Sequence, residues 1–206
     1  MSFSRALRSR CPLPIKAKSK LYVACVLSVA LYGSEGWCET AANVHRLSVF
    51  HNRCCRALAK LNRWKQWKSK ASTAQILQQV QLKKIEYYID QRALRWIGHV
   101  ARMPSSRLPK KLLFSWVPEA KRKKGRAQKH YGHRVKQLII DLVAQQSAAD
   151  RRNFRLSRDE KPWWPINGCN RANFNESWSQ CAHWMRQAQS RTEWKRYTNA
   201  YLDSLV

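Results

Sequence analysis

Carboxylates are the first residues to test for chemistry, because phosphoryl and nucleotidyl transfer use divalent metals to clamp both the attacking and the leaving oxygen. The aspartates are Asp90, Asp141, Asp150, Asp159 and Asp203, and no two of them are adjacent. Tyr87-Tyr88-Ile89-Asp90 offers a single carboxylate, has Gln91 where a second would be needed, and sits inside a helical period rather than at a turn. No polymerase, endonuclease or hydrolase activity is expected, and no catalytic residue is assigned. Metal ligation is the next possibility. Cys169, Cys181 and His183 supply three donors, whereas a structural zinc takes four and normally a close cysteine pair. His51 with Cys54 and Cys55 forms a second group and His130 with His133 a third; each reads as packing or surface. Glycine-rich phosphate loops and a nucleophile elbow are absent from the sequence, so no metal and no cofactor is expected.

Charge is more informative than any candidate nucleophile. Lys and Arg number 40 against 12 Asp and Glu, a net +28 that repels itself unless a polyanion neutralises it. Nucleic acid is the natural counterpart. A basic ribosomal-type structural protein and an anionic membrane surface share the same electrostatics. The 10 tryptophans, interleaved with Arg and Lys, favour nucleic acid, since indoles stack on bases while cations hold phosphates, although most tryptophans serve as core. The 7 cysteines, odd in number and without framework spacing, point to a reducing compartment, nuclear or cytoplasmic. Arg5, Arg8, Arg10 and the basic stretch 16–20 ahead of the apolar run 21–32 imitate a secretion signal, but Gly33-Ser34-Glu35 is a poor cleavage site. That run is also too short to span a bilayer, so no membrane partner is expected.

With 44% apolar residues the chain can build a core, and its periods are those of helices. The run from Lys18 to Leu31 predicts an apolar helix buried on several sides and ended by Gly33. From Thr40 to Leu61 a stripe of Val44, Leu47, Cys54, Leu58 and Leu61 predicts an amphipathic helix whose other face carries Arg46, Arg53 and Arg56. Ser72 followed by Gln75 is a capping-box pattern that starts a helix. The clearest period places Leu82, Ile85, Ile89, Ala93, Trp96 and Val100 on one buried arc, with Lys84, Arg95 and Arg102 projecting opposite as a basic ridge. Met103-Pro104 ends that helix. Tyr131 to Gln146 returns to helical period, the stretch 150–175 is broken by Pro162, Pro165 and Gly168, and Glu176 to Leu205 predicts a final helix or helix pair. The expected class is mainly α: a bundle-like helical region over 15–117, a basic linker over 118–134, and a smaller helical part over 135–206 containing an irregular loop.

Several motifs fall along this frame. Leu31-Tyr32-Gly33-Ser34-Glu35-Gly36-Trp37, Phe50-His51-Asn52-Arg53-Cys54-Cys55-Arg56 and Leu94-Arg95-Trp96-Ile97-Gly98-His99-Val100-Ala101-Arg102-Met103-Pro104, continuing through Arg107-Leu108-Pro109, occur in that order. Together they resemble the region following the polymerase core in non-LTR (LINE-type) retrotransposon reverse transcriptases. The resemblance covers roughly residues 20 to 136, with a fainter echo at Trp184, Ala188, Arg191 and Trp194. Lys121-Arg122-Lys123-Lys124-Gly125-Arg126 is similar to that family's Arg-x-x-Gly-Arg-Pro-x-x-Arg segment, with Ala127 in place of the proline and His130 in place of an arginine. Pro162-Trp163-Trp164-Pro165 spells the tetrapeptide of a methyl-lysine-reading β-barrel, but its flanks lack the alternation of strands.

What the resemblance implies is a thumb and adjoining linker without the catalytic aspartates, gripping a template–primer duplex through its phosphates. The expected nucleic-acid-binding residues are Lys84, Arg95, Arg102, Arg107, Lys121, Arg122, Lys123, Lys124 and Arg126, which position a polyanion without reading its sequence. The expected partners are RNA, DNA or an RNA–DNA hybrid, and, by resemblance, an intact retrotransposon polymerase. The competing expectation is a structural remnant of such a reading frame whose basic surface is unused.

Overall fold

The structure, a computed structural model, describes residues 13–37, 39–104, 106–110, 131–147 and 183–205. It is mainly helical, as its periods predict, and among the described residues there is no strand. Two compact units are present: residues up to 34 with 39–89, and residues 35–38 with 90–205. The division runs through one long helix inside the 15–117 region, and the linker residues 118–130 lie outside the described residues.

In the first unit α1 (Ile15–Tyr22) passes through a π turn at Val23–Leu27 into the short α2 (Ser28–Ala30). A π turn carries one extra residue, which rotates the following side chains, so Leu27 and Leu31 are buried together with Lys18, Ser19 and Tyr22. The hydroxyl of buried Ser19 donates to the Val80 carbonyl at 2.6 Å. Leu21, Val29 and Tyr32 are exposed, so the run is buried along one stripe and not on several sides. Gly33 ends it at φ 69°, where a side chain would be strained.

Helix α3 (Ala41–Leu58) begins at Thr40, whose side chain accepts from the Asn43 amide. The short α4 (Arg63–Lys68) is capped by Asn62, and α5 (Thr73–Val80) by Ser72 in a complete capping box, with both arms of the Ser72–Gln75 exchange formed. The single helix expected to continue to Leu61 stops at Leu58. Lys60, Lys70 and Gln81 each adopt a left-handed backbone, at φ 56°, 51° and 55°. After each, the next amide reaches back five residues: Leu61 to Arg56, Ala71 to Gln66, Leu82 to Leu77. These are helix-ending turns of the Schellman type made without glycine.

Helix α6 (Ile85–Arg102) is the element shared by both units. Ile85, Ile89, Ala93 and Val100 are buried on it as expected, and Leu82 is buried in the turn ahead of it. Trp96 is only half-buried, with its ring 5.8 Å from that of exposed His99, while Leu94, Ile97 and Ala101 are fully buried instead. The buried arc is therefore wider than the period suggested and displaced from Trp96. The second unit is completed by α7 (Tyr131–Ala144), α8 (His183–Gln189) and α9 (Arg191–Asp203); the expected C-terminal helix pair breaks at Ser190, which caps α9 by accepting from the Glu193 amide. Leu138, Ile139, Leu142, Trp184, Met185, Tyr197 and Leu202 form its apolar core with the inner face of α6.

Candidate nucleic-acid interface

Among the described residues, Asp90 and His51, the carboxylate and imidazole of the candidate motifs, are both committed to contacts within the fold. Asp90 is buried on α6, paired with the guanidinium of Arg134 on α7 and accepting from the Tyr201 hydroxyl of α9 at 2.9 Å. Burial pushes its carboxyl above the ordinary range, and the Arg134 charge and the Tyr201 hydrogen bond oppose that push. One carboxylate thus fastens three helices of the second unit.

His51 occupies the centre of the first unit. Its Nε2 lies 2.8 Å from the Lys83 carbonyl, which can only accept, so Nε2 carries the proton and Nδ1 accepts from the Tyr22 hydroxyl at 2.9 Å. Both ring nitrogens are thereby engaged, and burial lowers the pKa of the imidazole, keeping it neutral. The neighbouring thiols are equally unsuited to metal chemistry, because burial raises Cys54 and pushes Cys55 up to about 12, whereas a metal takes the thiolate. Among the described residues no group of three or more His, Cys, Asp or Glu is arranged to hold a metal ion. His130, Cys169, Cys181 and the 162–165 tetrapeptide lie outside the described residues, as do the side chains of His133 and His183. The Phe-His-x-Arg-Cys-Cys-Arg segment instead ties α3 to α1 and to the turn that enters α6.

The two stretches of resemblance in the second unit meet in space. Trp194 donates its indole N–H to the Leu94 carbonyl at 2.9 Å, and its ring lies over Gly98 so closely that a Cβ built there would overlap the indole. Arg102 donates to the Ala188 carbonyl at 2.7 Å, and Gln189 donates back to the Ala101 carbonyl at 3.1 Å. Buried Lys110 closes the C-terminus of α6 by donating to the carbonyls of Ala101 and Met103 at 2.9 and 2.8 Å. A cation there also favours the negative end of the helix dipole.

Of the expected phosphate contacts, Lys84 belongs to the first unit and Arg95, Arg102 and Arg107 to the second. The side chains of Lys84, Arg95 and Arg107 are exposed and make no hydrogen bond or ion pair among the described residues. Arg102 departs from the expected solvent ridge: it is half-buried and partnered, and burial together with the nearby charge of Arg191 lowers its pKa. Arginine remains cationic under such a shift, so the second unit holds two guanidinium groups whose mutual repulsion an anion would relieve. Arg191 carried no helical-ridge signal in sequence, because it lies on a different helix. Lys121, Arg122, Lys123, Lys124 and Arg126 lie outside the described residues.

A further basic segment escaped the sequence reading. Helix α4 exposes Trp64 and Trp67, at 60% and 77% of their area, among Arg63, Lys65, Lys68 and Lys70. The Lys68 ammonium sits over the Trp64 ring at 5.2 Å. Arg63, Gln66, Trp67, Lys68, Lys70 and Ala71 line an open concavity of about 710 Å³. The available signal was tryptophan at i and i+3 in a run of cations without one acidic residue. No described helix is long and apolar enough to cross a membrane. Against this geometry, no protein-family model, no curated protein and no solved structure matches the chain.

Proposed function

We propose that the chain is a non-catalytic nucleic-acid-binding protein of the thumb-and-linker kind that follows the polymerase core in non-LTR retrotransposon reverse transcriptases. It grips RNA, DNA or a hybrid by its phosphates and does not read base sequence. The observation that carries this reading is a net charge of +28 borne partly by exposed, unpartnered Lys84, Arg95 and Arg107. Exposed like charges destabilise a compact chain unless a polyanion is bound, and a duplex supplies a dense row of phosphates. Asp90, the carboxylate of the Tyr87-Tyr88-Ile89-Asp90 run, is committed to Arg134 and Tyr201, which supports a packing role for that run.

The test is fluorescence anisotropy on unrelated duplexes across a salt series. Each phosphate neutralised contributes about 0.9 to the slope of log affinity against log salt. Replacing Arg95 and Arg107 by alanine is expected to shrink the slope by about 2 units, with equal losses on every sequence. Replacing Lys121, Arg122, Lys123 and Lys124 by alanine is expected to shrink it by about 3 to 4 units. Absence of duplex binding at physiological salt would identify the chain as the unused structural remnant.

A further inference from the structure

The six-residue helix α4 is held at both ends by polar bonds and does not use its tryptophans for packing. Asn62 accepts from the Lys65 amide at 2.6 Å, the Gln66 amide group donates to the Ala71 carbonyl at 3.1 Å, and the Ser69 hydroxyl donates to the Gln66 carbonyl at 3.1 Å. The fold is thus complete locally while two of its largest apolar side chains face solvent. Exposed indoles beside cations are the composition of a stacking surface, since an indole offers a π face to any base and a cation offers charge to the flanking phosphate.

The arrangement around the helix decides which polyanion fits. At about 100° per residue, Arg63, Trp67, Trp64 and Lys68 fall in that order within an arc of about 140°. Cations therefore bracket both tryptophans on one face. A helix lying in an anionic membrane needs the opposite arrangement, with its apolar residues on one face and its charges on the other. A duplex is also disfavoured as the occupant, because its base faces are stacked inside and only phosphate would reach the indoles.

We infer that the α4 segment, Lys60 to Lys70, is a binding site for single-stranded nucleic acid, in which Trp67 and Trp64 stack on unpaired bases while Arg63, Lys65, Lys68 and Lys70 contact the phosphates between them. For its charge component this rests on the polyanion-binding reading above, and it adds a strand-selective site distinct from Arg95, Arg102 and Arg107. Trp67 is the principal platform, because Lys68 already covers part of the Trp64 ring. The 60–70 segment would then hold an unpaired template or overhang.

The test uses the full chain and four probes: a 20-nucleotide oligothymidylate, the same length of abasic phosphodiester strand, a duplex of equal length, and phosphatidylserine vesicles. Trp64→Ala/Trp67→Ala is expected to weaken oligothymidylate binding at least 10-fold, since stacking lost from one base corresponds to about 5- to 150-fold. Binding to the duplex and to the abasic strand is expected to change less than 2-fold. Trp64→Phe/Trp67→Phe is expected to recover most of the oligothymidylate affinity, and circular dichroism should be unchanged because both indoles are exposed. An equal loss on duplex and single strand overturns the proposal, as does no loss on the single strand. Tryptophan-dependent vesicle binding with unaltered oligothymidylate binding overturns it in favour of a membrane. Duplex binding that persists beside tryptophan-insensitive strand binding removes this site and leaves the proposed function standing; strand binding through the tryptophans without duplex binding does the reverse.

Discussion

Gly98→Ala provides the sharpest test of how the second unit is assembled. Alanine is the better helix former, and in the interior of a helix the exchange ordinarily stabilises by about 1 kcal/mol. Here the new methyl would overlap the Trp194 indole, whose N–H donates to the Leu94 carbonyl one turn earlier on the same helix. The indole must move, which costs about 1–3 kcal/mol for overpacking. Loss of its hydrogen bond, leaving a buried donor unsatisfied, costs about 1–3 kcal/mol more. Set against the helix-propensity gain, the net loss is about 1–5 kcal/mol. For a chain of this length each kcal/mol lowers the melting temperature by about 2–4 °C, so the expected decrease is at least about 2 °C. Urea unfolding gives the free energy directly, and Trp194→Leu supplies the second edge of a double-mutant cycle. In the leucine background the obstruction is gone, and Gly98→Ala is expected to change sign to a gain of up to about 1 kcal/mol. If Gly98→Ala were stabilising in the wild-type background, or destabilising by the same amount in both, the indole would not occupy the glycine notch.

Stability is expected to fall as pH drops through about 6.5, because the unfolded histidine has that ordinary pKa while neutral His51, lowered by burial between Tyr22 and Lys83, binds its proton only at a lower pH. The urea midpoint measured from pH 8 to 5 should therefore slope less in His51→Gln, and an identical slope in both proteins removes His51 from the centre of the unit. Asp90→Asn removes the carboxylate charge that faces the partly exposed Arg134 and is expected to cost about 2–3 kcal/mol, against about 1 for Tyr201→Phe, by chemical denaturation; equal effects would contradict the three-helix fastening. Gln81→Gly relieves a left-handed non-glycine residue and is expected to raise stability by about 0.5–1 kcal/mol, so a lowered urea midpoint would show that the glutamine side chain contributes more than its backbone costs.

Local chemistry was readable wherever a residue acts on its own neighbours in the chain. Ser72 and Gln75 form their reciprocal caps three residues apart, and the Leu82-to-Val100 period selects a buried face because the α-helix repeats every 3.6 residues. The charge excess, and with it the expectation of a polyanionic partner, needs no structure at all. Three features were decided elsewhere. Period names a face but not the helix that covers it, so it puts Trp96 inside, whereas the neighbouring elements bury Ile97 and leave Trp96 at the rim. Helix ends at Lys60, Lys70 and Gln81 carry no glycine, so the breaks around α4, and the exposure of Trp64 and Trp67 that follows, left no punctuation to read. The roles of Asp90, His51 and Gly98 depend on Tyr201, Lys83 and Trp194, each brought in from another element by the fold. Hydrogen bonds and close packing extend only a few ångströms, and which distant residues come within that range is set by tertiary packing rather than by sequence spacing.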